Sequence, residues 1–256
     1  MPDDSIRQVY SPVEVFGDAR PARWLILCDH ARNVVPAQVA DGDLGLPAKD
    51  MARHIAYDVG AEGVARQLAR RLDAPCVVSN FSRLVIDPNR GEDDPTLLMK
   101  LYDGTVIPAN RNADAAEVER RLNLCHRPYH AVVSRLAARH PDTVIVSVHS
   151  FTPQLAGRPP RPWHIALLSA ADRRLADPLI ALMQAQPDLC VGDNEPYGGH
   201  LPGDTIDCHA IANGRQNTLI ELRNDLIATP EAQVAWADRL ALMLTHTLAQ
   251  ITTPTP

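Results

Sequence analysis

The chain has 256 residues, 45% of them hydrophobic, and a formal net charge of −6 with no basic block; this argues against a nucleic-acid surface or a polybasic membrane patch and leaves a small molecule as the expected partner. No stretch approaches the roughly 20 apolar residues of a membrane-spanning helix, and the polar, charged start, 1–10, lacks the basic-then-apolar order of a signal peptide, so a cytoplasmic protein is expected. The five cysteines, Cys28, Cys76, Cys125, Cys190 and Cys208, are odd in number and widely spaced, which reads as reduced thiols rather than a metal ribbon or redox motif.

Taken in chain order, short apolar runs alternate with longer helical stretches. The first run, 24–28, predicts a buried strand that delivers Asp29-His30-Ala31-Arg32-Asn33. In 50–72, Met51, Ile55, Val59, Leu68 and Leu72 fall at near-helical spacing, and Gly60 and Gly63 divide the segment into two turns and then a longer helix. Residues 75–79 predict the next strand, and Leu84, Val85 and Ile86 a short apolar strand inside 81–90. A long loop, 89–112, follows. The helix 114–139 sets Val118, Leu122, Cys125, Val132 and Leu136 along one stripe, with a kink at Pro128. Strands 143–148 and 163–168 flank the loop 152–162, a helix covers 171–186, a strand 189–191 and a long loop 192–217. The last strand, 218–222, leads to the helix 230–251, with Thr229 as N-cap and Pro230 at its first position, and the tail 252–256 frays. This alternation is that of one α/β domain over 1–256, its sheet covered on both faces.

Open α/β sheets bind ligands in the crevice beyond the carboxyl ends of their strands. His30 follows the strand 24–28 and His149 follows 143–148. Either imidazole alone reads equally well as a turn histidine held by backbone; as a pair at matching strand ends they are expected to share a metal ion. The third ligand stays open among Asn33, a weak zinc ligand, Asp58, a better oxygen donor, and His54, four residues before Asp58 on a shared helix face. Asp29 is placed to orient an imidazole. Glu221 is a carboxylate within an apolar strand, costly to bury unless paired or employed. It is the expected proton acceptor, with an ion pair to Arg223 as the alternative; Arg223, two residues on, shares its strand face.

In 81–90 the guanidiniums of Arg83 and Arg90 form the expected anion clamp, one of them alternatively holding only Asp87, and the segment closes on a Pro88-Asn89-Arg90 turn. Residues 192–200, with Asn194, read as a substrate loop, and His209 beyond it as a substrate contact. Asn89, Asn194, His209 and Arg223 thus join the two arginines as substrate-binding candidates. His126, His130, His140, His164 and His246 read as structural or solvated. Two other classes are open: a serine hydrolase on Ser150, which lacks a Gly-x-Ser-x-Gly turn and points to the opposite face from His149, and a metal-free binding protein, which Asn33 would suit.

Six segments in this order, 29–33 with Pro36, 54–60, 82–90, 149–153, 192–197 and 221–226, resemble the N-formylglutamate amidohydrolase family over 24 to about 227. The resemblance implies a fold related to zinc carboxypeptidases and aspartoacylase-like deacylases, with a mixed, mostly parallel central sheet flanked by helices. It implies zinc or another divalent ion on His30 and His149, Glu221 as the catalytic carboxylate, and hydrolysis of N-formyl-L-glutamate to formate and L-glutamate in histidine degradation. Asn33 departs from the carboxypeptidase His-x-x-Glu pattern, and the Asp-His-Ala-Arg-Asn version resembles a divergent branch whose acyl-amino acid need not be formylglutamate. The expected substrate is a small N-acyl amino acid with a free carboxylate, and the candidate loops show no long apolar surface.

Overall fold

A computed structural model describes residues 10–155, 157–199 and 201–252; the ends 1–9 and 253–256, with most of the tail expected to fray, and His200 of the expected substrate loop lie outside the described residues. The strands are Val13–Phe16 (β1), Trp24–Cys28 (β2), Cys76–Ser79 (β3), Leu101–Tyr102 (β4), Thr105–Val106 (β5), Val144–Phe151 (β6), Ile165–Leu168 (β7), Val191–Asp193 (β8) and Asn217–Arg223 (β9). The helices are Ala48–Met51 (α1), Ala61–Arg71 (α2), Ala115–Arg121 (α3), Arg127–Ala137 (α4), Ala176–Gln184 (α5), Thr205–His209 (α6) and Pro230–Thr252 (α7). No helix among the described residues is long and apolar enough to cross a membrane.

Seven strands form one sheet in the order β1-β3-β2-β6-β9-β7-β8, while β4 and β5 make a separate hairpin. The central four, β3, β2, β6 and β9, are parallel; β1 and β7 pair antiparallel with their inner neighbours, and β8 runs parallel to β7. The sheet is therefore mixed and mostly parallel. Its strands β2, β3, β6 and β7 are buried throughout, the mark of a sheet with both faces covered. Alternation divides each strand between two cores. Ile26, Cys28, Val144, Val146, Val148, Ile220 and Leu222 pack with residues of α2, α5 and α7. Leu25, Leu27, Ile145 and Leu219 pack with Tyr129, Val133 and Leu136 of α4. By the same parity Ser147, His149 and Glu221 stand on the α4 side.

Strand order also locates the crevice. From β2 the chain first adds β3 on one side, then β6 on the other, so the order reverses between β2 and β6, where ligands of open α/β sheets sit. His30 comes just after one of these strands and His149 lies within the other, since β6 runs on to Phe151 rather than stopping at 148.

Several expectations change. The apolar run Leu84-Val85-Ile86 is a buried turn, not a strand, because its backbone is satisfied from elsewhere: Arg121 Nη1 donates to the Val85 carbonyl at 2.9 Å and Asn110 Nδ2 to that of Leu84 at 2.8 Å. β1 escapes the sequence signal because, as an edge strand, it is only partly buried along its length. In 50–72, read as two turns and then a longer helix, α1 ends at Met51, turns follow, and the longer helix is α2, which starts after Gly60 at φ +81°. The helix 114–139 is α3 and α4 joined by a π-turn at 122–126, with Pro128 in the first turn of α4, where its missing N–H costs no hydrogen bond. The strand expected at 189–191 starts late, β8 covering 191–193, and the loop 192–217 contains α6.

Candidate functional site

Three acidic side chains and two imidazoles meet at the carboxyl ends of β2 and β6. Asp58 is carried there by the turn before α2, its N–H donating to the His30 carbonyl at 2.8 Å. His149 Nδ1 lies 2.8 Å and His30 Nδ1 3.4 Å from the same oxygen, Asp58 Oδ2. The opposite ring nitrogens are held by two further carboxylates. His30 Nε2 is 2.7 Å from Asp87 Oδ1, and His149 Nε2 is 2.9 Å from Asp29 Oδ2. Asp29 in turn accepts from the Tyr129 hydroxyl at 2.8 Å and from Ser147 Oγ, and Asp87 accepts from Arg83 Nη2 and the Asn89 N–H, each at 2.9 Å. Imidazoles fixed on one nitrogen by a carboxylate, with the other turned to a common point, are in the arrangement that metal-binding histidines adopt.

The donor set suits a divalent cation. One ligand atom each from His30, Asp58 and His149 lies within 4.8 Å of the others, and all three residues are buried. Three carboxylates, Asp29, Asp58 and Asp87, are buried here with one buried guanidinium, Arg83, which contacts Asp58 and Asp87. Two negative charges are left, which protonated imidazoles or one divalent ion with neutral imidazoles can balance. Burial opposes charge on each acid, yet the surrounding cations prevail. His30 and His149 hold Asp58 well below the usual carboxylate range, and Arg83 with His30 does the same for Asp87. Burial likewise opposes charge on His149, but its hydrogen bonds to Asp29 and Asp58 lift it to about 10. Asp58 Oδ1 and His54 Nδ1 are buried without hydrogen-bond partners among the described residues, so lone pairs remain to be used.

Of the three candidates for a third ligand, Asp58 is the one brought onto both histidines. His54 Nδ1 stands 3.3 Å from its other oxygen, and burial holds His54 down to about 4, a neutral imidazole. Asn33 is turned away, its side-chain amide donating to the Met51 carbonyl at 2.8 Å.

Glu221 faces this cluster as the direct cross-strand partner of His149 in the β6/β9 register. It is buried and its Oε2 has no hydrogen-bond partner; burial pushes its pKa up to about 8, with the negative charge of Asp58 adding and His149 opposing. A cavity of about 340 Å³ opens here, lined by His30, Asp58, His149, Glu221, Arg83, Asn89 and Arg90 among others. The two arginines differ. Arg83 is engaged by Asp87 at 2.9 Å and by Asp58 at 3.6 Å, whereas Arg90 donates to Thr96 Oγ1 and to the Asn89 carbonyl, both uncharged.

The remaining sequence candidates stand off the cavity wall. Arg223 pairs with Asp225 at 2.8 Å, Asn194 exchanges hydrogen bonds with the Ser169 backbone, and His209 Nε2 is 2.8 Å from His130 Nδ1. Ser150 is on the wall, but its hydroxyl donates to the Val59 carbonyl, and the nitrogens of His149 are taken by aspartates. Sequence reasoning passes over Asp87 and Tyr129 as supports of the imidazoles, and His126 and His130, whose Nε2 atoms reach the carbonyls of Arg90 and Pro88 at 3.0 and 2.9 Å. A polar group on the inward stripe of α4 is the one local sign they leave.

A family model described as N-formylglutamate amidohydrolase matches residues 22–228. No curated protein matches the chain. Among solved structures, a gene product of Agrobacterium tumefaciens is 35% identical with a TM-score of 0.89, the match covering 95% of this chain and 97% of the other. An N-formylglutamate amidohydrolase from Ralstonia eutropha JMP134 is 20% identical with a TM-score of 0.70, covering 94% and 98%, and shares the fold.

Proposed function

Because the chain belongs to the N-formylglutamate amidohydrolase family, we propose that it is a metal-dependent amidohydrolase that cleaves the amide bond of a small N-acyl amino acid. The observation that carries this reading is the placement of a buried carboxylate, Glu221, whose Oε2 has no hydrogen-bond partner among the described residues, directly across from His149 in the His30, Asp58, His149 cluster. Two imidazoles and a carboxylate are a zinc donor set; bound there, zinc supplies an acidified water and polarises the substrate carbonyl.

The chain's own groups then have distinct tasks. Glu221, made basic by burial, takes a proton from the attacking water and returns it to the departing nitrogen as the carbon–nitrogen bond breaks. Asp29 and Asp87 keep the two imidazoles turned toward Asp58. Arg90, free of any carboxylate partner among the described residues, holds the amino-acid carboxylate, with Asn89 beside it on the wall. That anchor fixes the reacting carbonyl relative to Glu221. Metal analysis of protein purified without chelator, with a screen of N-acyl amino acids headed by N-formyl-L-glutamate, tests the reading. Near-stoichiometric divalent metal and amine release that stops on chelation are expected. A metal-loaded protein that hydrolyses none of them would refute it.

A further inference from the structure

The cavity wall changes character along the sheet. At the row of His149 and Glu221 it is polar, but two residues back on the same face of β9 stands Leu219, about 7 Å away at the rise of a strand. Its partner across the ladder is Leu168 at the end of β7, and Ile206 of α6 and Leu201 complete an aliphatic section of the lining. Leu168, Ile206 and Leu219 are 6%, 4% and 7% exposed, so they form an inner wall rather than a surface. The expectation of candidate loops without apolar surface thus changes: Leu201 and Ile206 are isolated in a polar sequence, and the fold gathers them with two strand leucines.

The carboxylate anchor borders that wall. Thr205 N–H donates to Asn89 Oδ1 at 3.2 Å, and a Cβ on Gly203 would stand 2.8 Å from the Gly91 Cα. The turn that carries Arg90 and the segment that carries Leu201 and Ile206 are therefore in contact, and a carboxylate held at Arg90 sets the adjoining side chain of the substrate beside aliphatic groups. Charge points the same way. Among the described residues no cation lines the cavity besides the histidines, Arg83, already engaged by two aspartates, and Arg90. Arg161 lies over the rings of Phe151 and Tyr197, donating to the Thr152 carbonyl, and its charge acts on Glu221 and His54 of the polar row. A second substrate carboxylate at this wall would meet aliphatic groups, and a charge laid on an apolar wall without a partner is strongly disfavoured.

We propose that the preferred substrate, within the amidohydrolase reading on which this rests, is an N-acyl amino acid with a single carboxylate and a branched aliphatic side chain, rather than a dicarboxylate. For N-formyl-L-leucine, water adds to the formyl carbon, the carbon–nitrogen bond breaks, and formate and leucine leave. The test measures kcat/KM of the metal-loaded enzyme for N-formyl-L-leucine and N-formyl-L-glutamate, and Kd for both on Glu221→Gln. The leucine compound is expected to lead in both by about tenfold or more, the scale on which an apolar pocket discriminates. Leu201→Arg, at a position 36% exposed, places a guanidinium at the aliphatic end and is expected to narrow the ratio. Equal or better binding and turnover of the glutamate compound overturns the proposal and leaves the amidohydrolase reading standing. Tighter binding of the leucine compound with turnover of neither, nor of any other N-acyl amino acid in the screen, keeps the pocket assignment and overturns the amidohydrolase reading; binding of neither overturns the pocket assignment.

Discussion

Glu221 separates the proposed chemistry from binding. Glu221→Gln preserves shape but cannot accept a proton, so turnover should drop by about 10²-fold or more while bound metal, assayed by elemental analysis, is unchanged; wild-type turnover in this variant would remove Glu221 from the mechanism. Asp29 makes a different prediction, because it touches His149 Nε2 and not the cavity. Asp29→Asn leaves a neutral group against the ring, and affinity for zinc in competition with a chelator is expected to weaken by about 10- to 100-fold, as for other losses of an outer support to a metal histidine. Unaltered zinc affinity would mean that Tyr129, Ser147 and Asp29 serve only the core. Arg83 and Arg90 divide the work between support and substrate binding. Both are arginines ten residues or fewer from the same turn, yet the acids around Arg83 occupy it, and no local pattern distinguishes them.

At the scale of elements, the strands carry the argument. Alternation sets His149 on the face of β6 that carries Ser147 and Glu221 on the face of β9 that carries Leu219, and the parallel register of the two strands makes His149 and Glu221 neighbours. Elements whose backbone is satisfied by distant side chains do not announce themselves in this way; the turn at 84–86 has the composition of a strand and the hydrogen bonds of a loop. Gly60 marks the junction that brings Asp58 into the cluster. Its φ of +81° is left-handed and a Cβ there would strike the Ile227 carbonyl oxygen. Gly60→Ala should therefore destabilise the fold by on the order of 1–3 kcal/mol, read from denaturant unfolding with m unchanged. A neutral substitution would show that the turn before α2 relaxes without strain.

For the whole molecule, three histidines join the layer beneath the sheet to the substrate turn. His130 bridges the Pro88 carbonyl and His209, and His126 reaches the Arg90 carbonyl, so α4 and α6 are both tied to the turn that bears Arg90. Burial holds His130 and His209 down to about 4 from an ordinary 6.5. Between those values the unfolded chain binds protons that the folded chain refuses, so this contribution to stability is complete above 6.5 and is lost as pH falls toward 4. Each such group changes the unfolding free energy by at most about 1.4 kcal/mol per pH unit. Unfolding free energies of metal-stripped protein from pH 7 to 5 should fall less steeply for His130→Gln than for wild type, and parallel profiles would contradict the assignment.

The chain by itself determines the family resemblance, the α/β alternation and the arrival of His30, His149 and Glu221 at one end of the sheet, because strand periodicity is a local property with a period of two. Tertiary structure alone decides that Asp58 meets both histidines, that Asp87 and Asp29 turn their rings, that Arg90 rather than Arg83 lacks an acid partner, and that scattered leucines form one wall. Those contacts join residues 28, 57, 91 and 120 positions apart. Their partners are chosen by strand order, register and the path of loops around the crevice, and these follow from how the two cores close over the sheet, which no window of sequence contains.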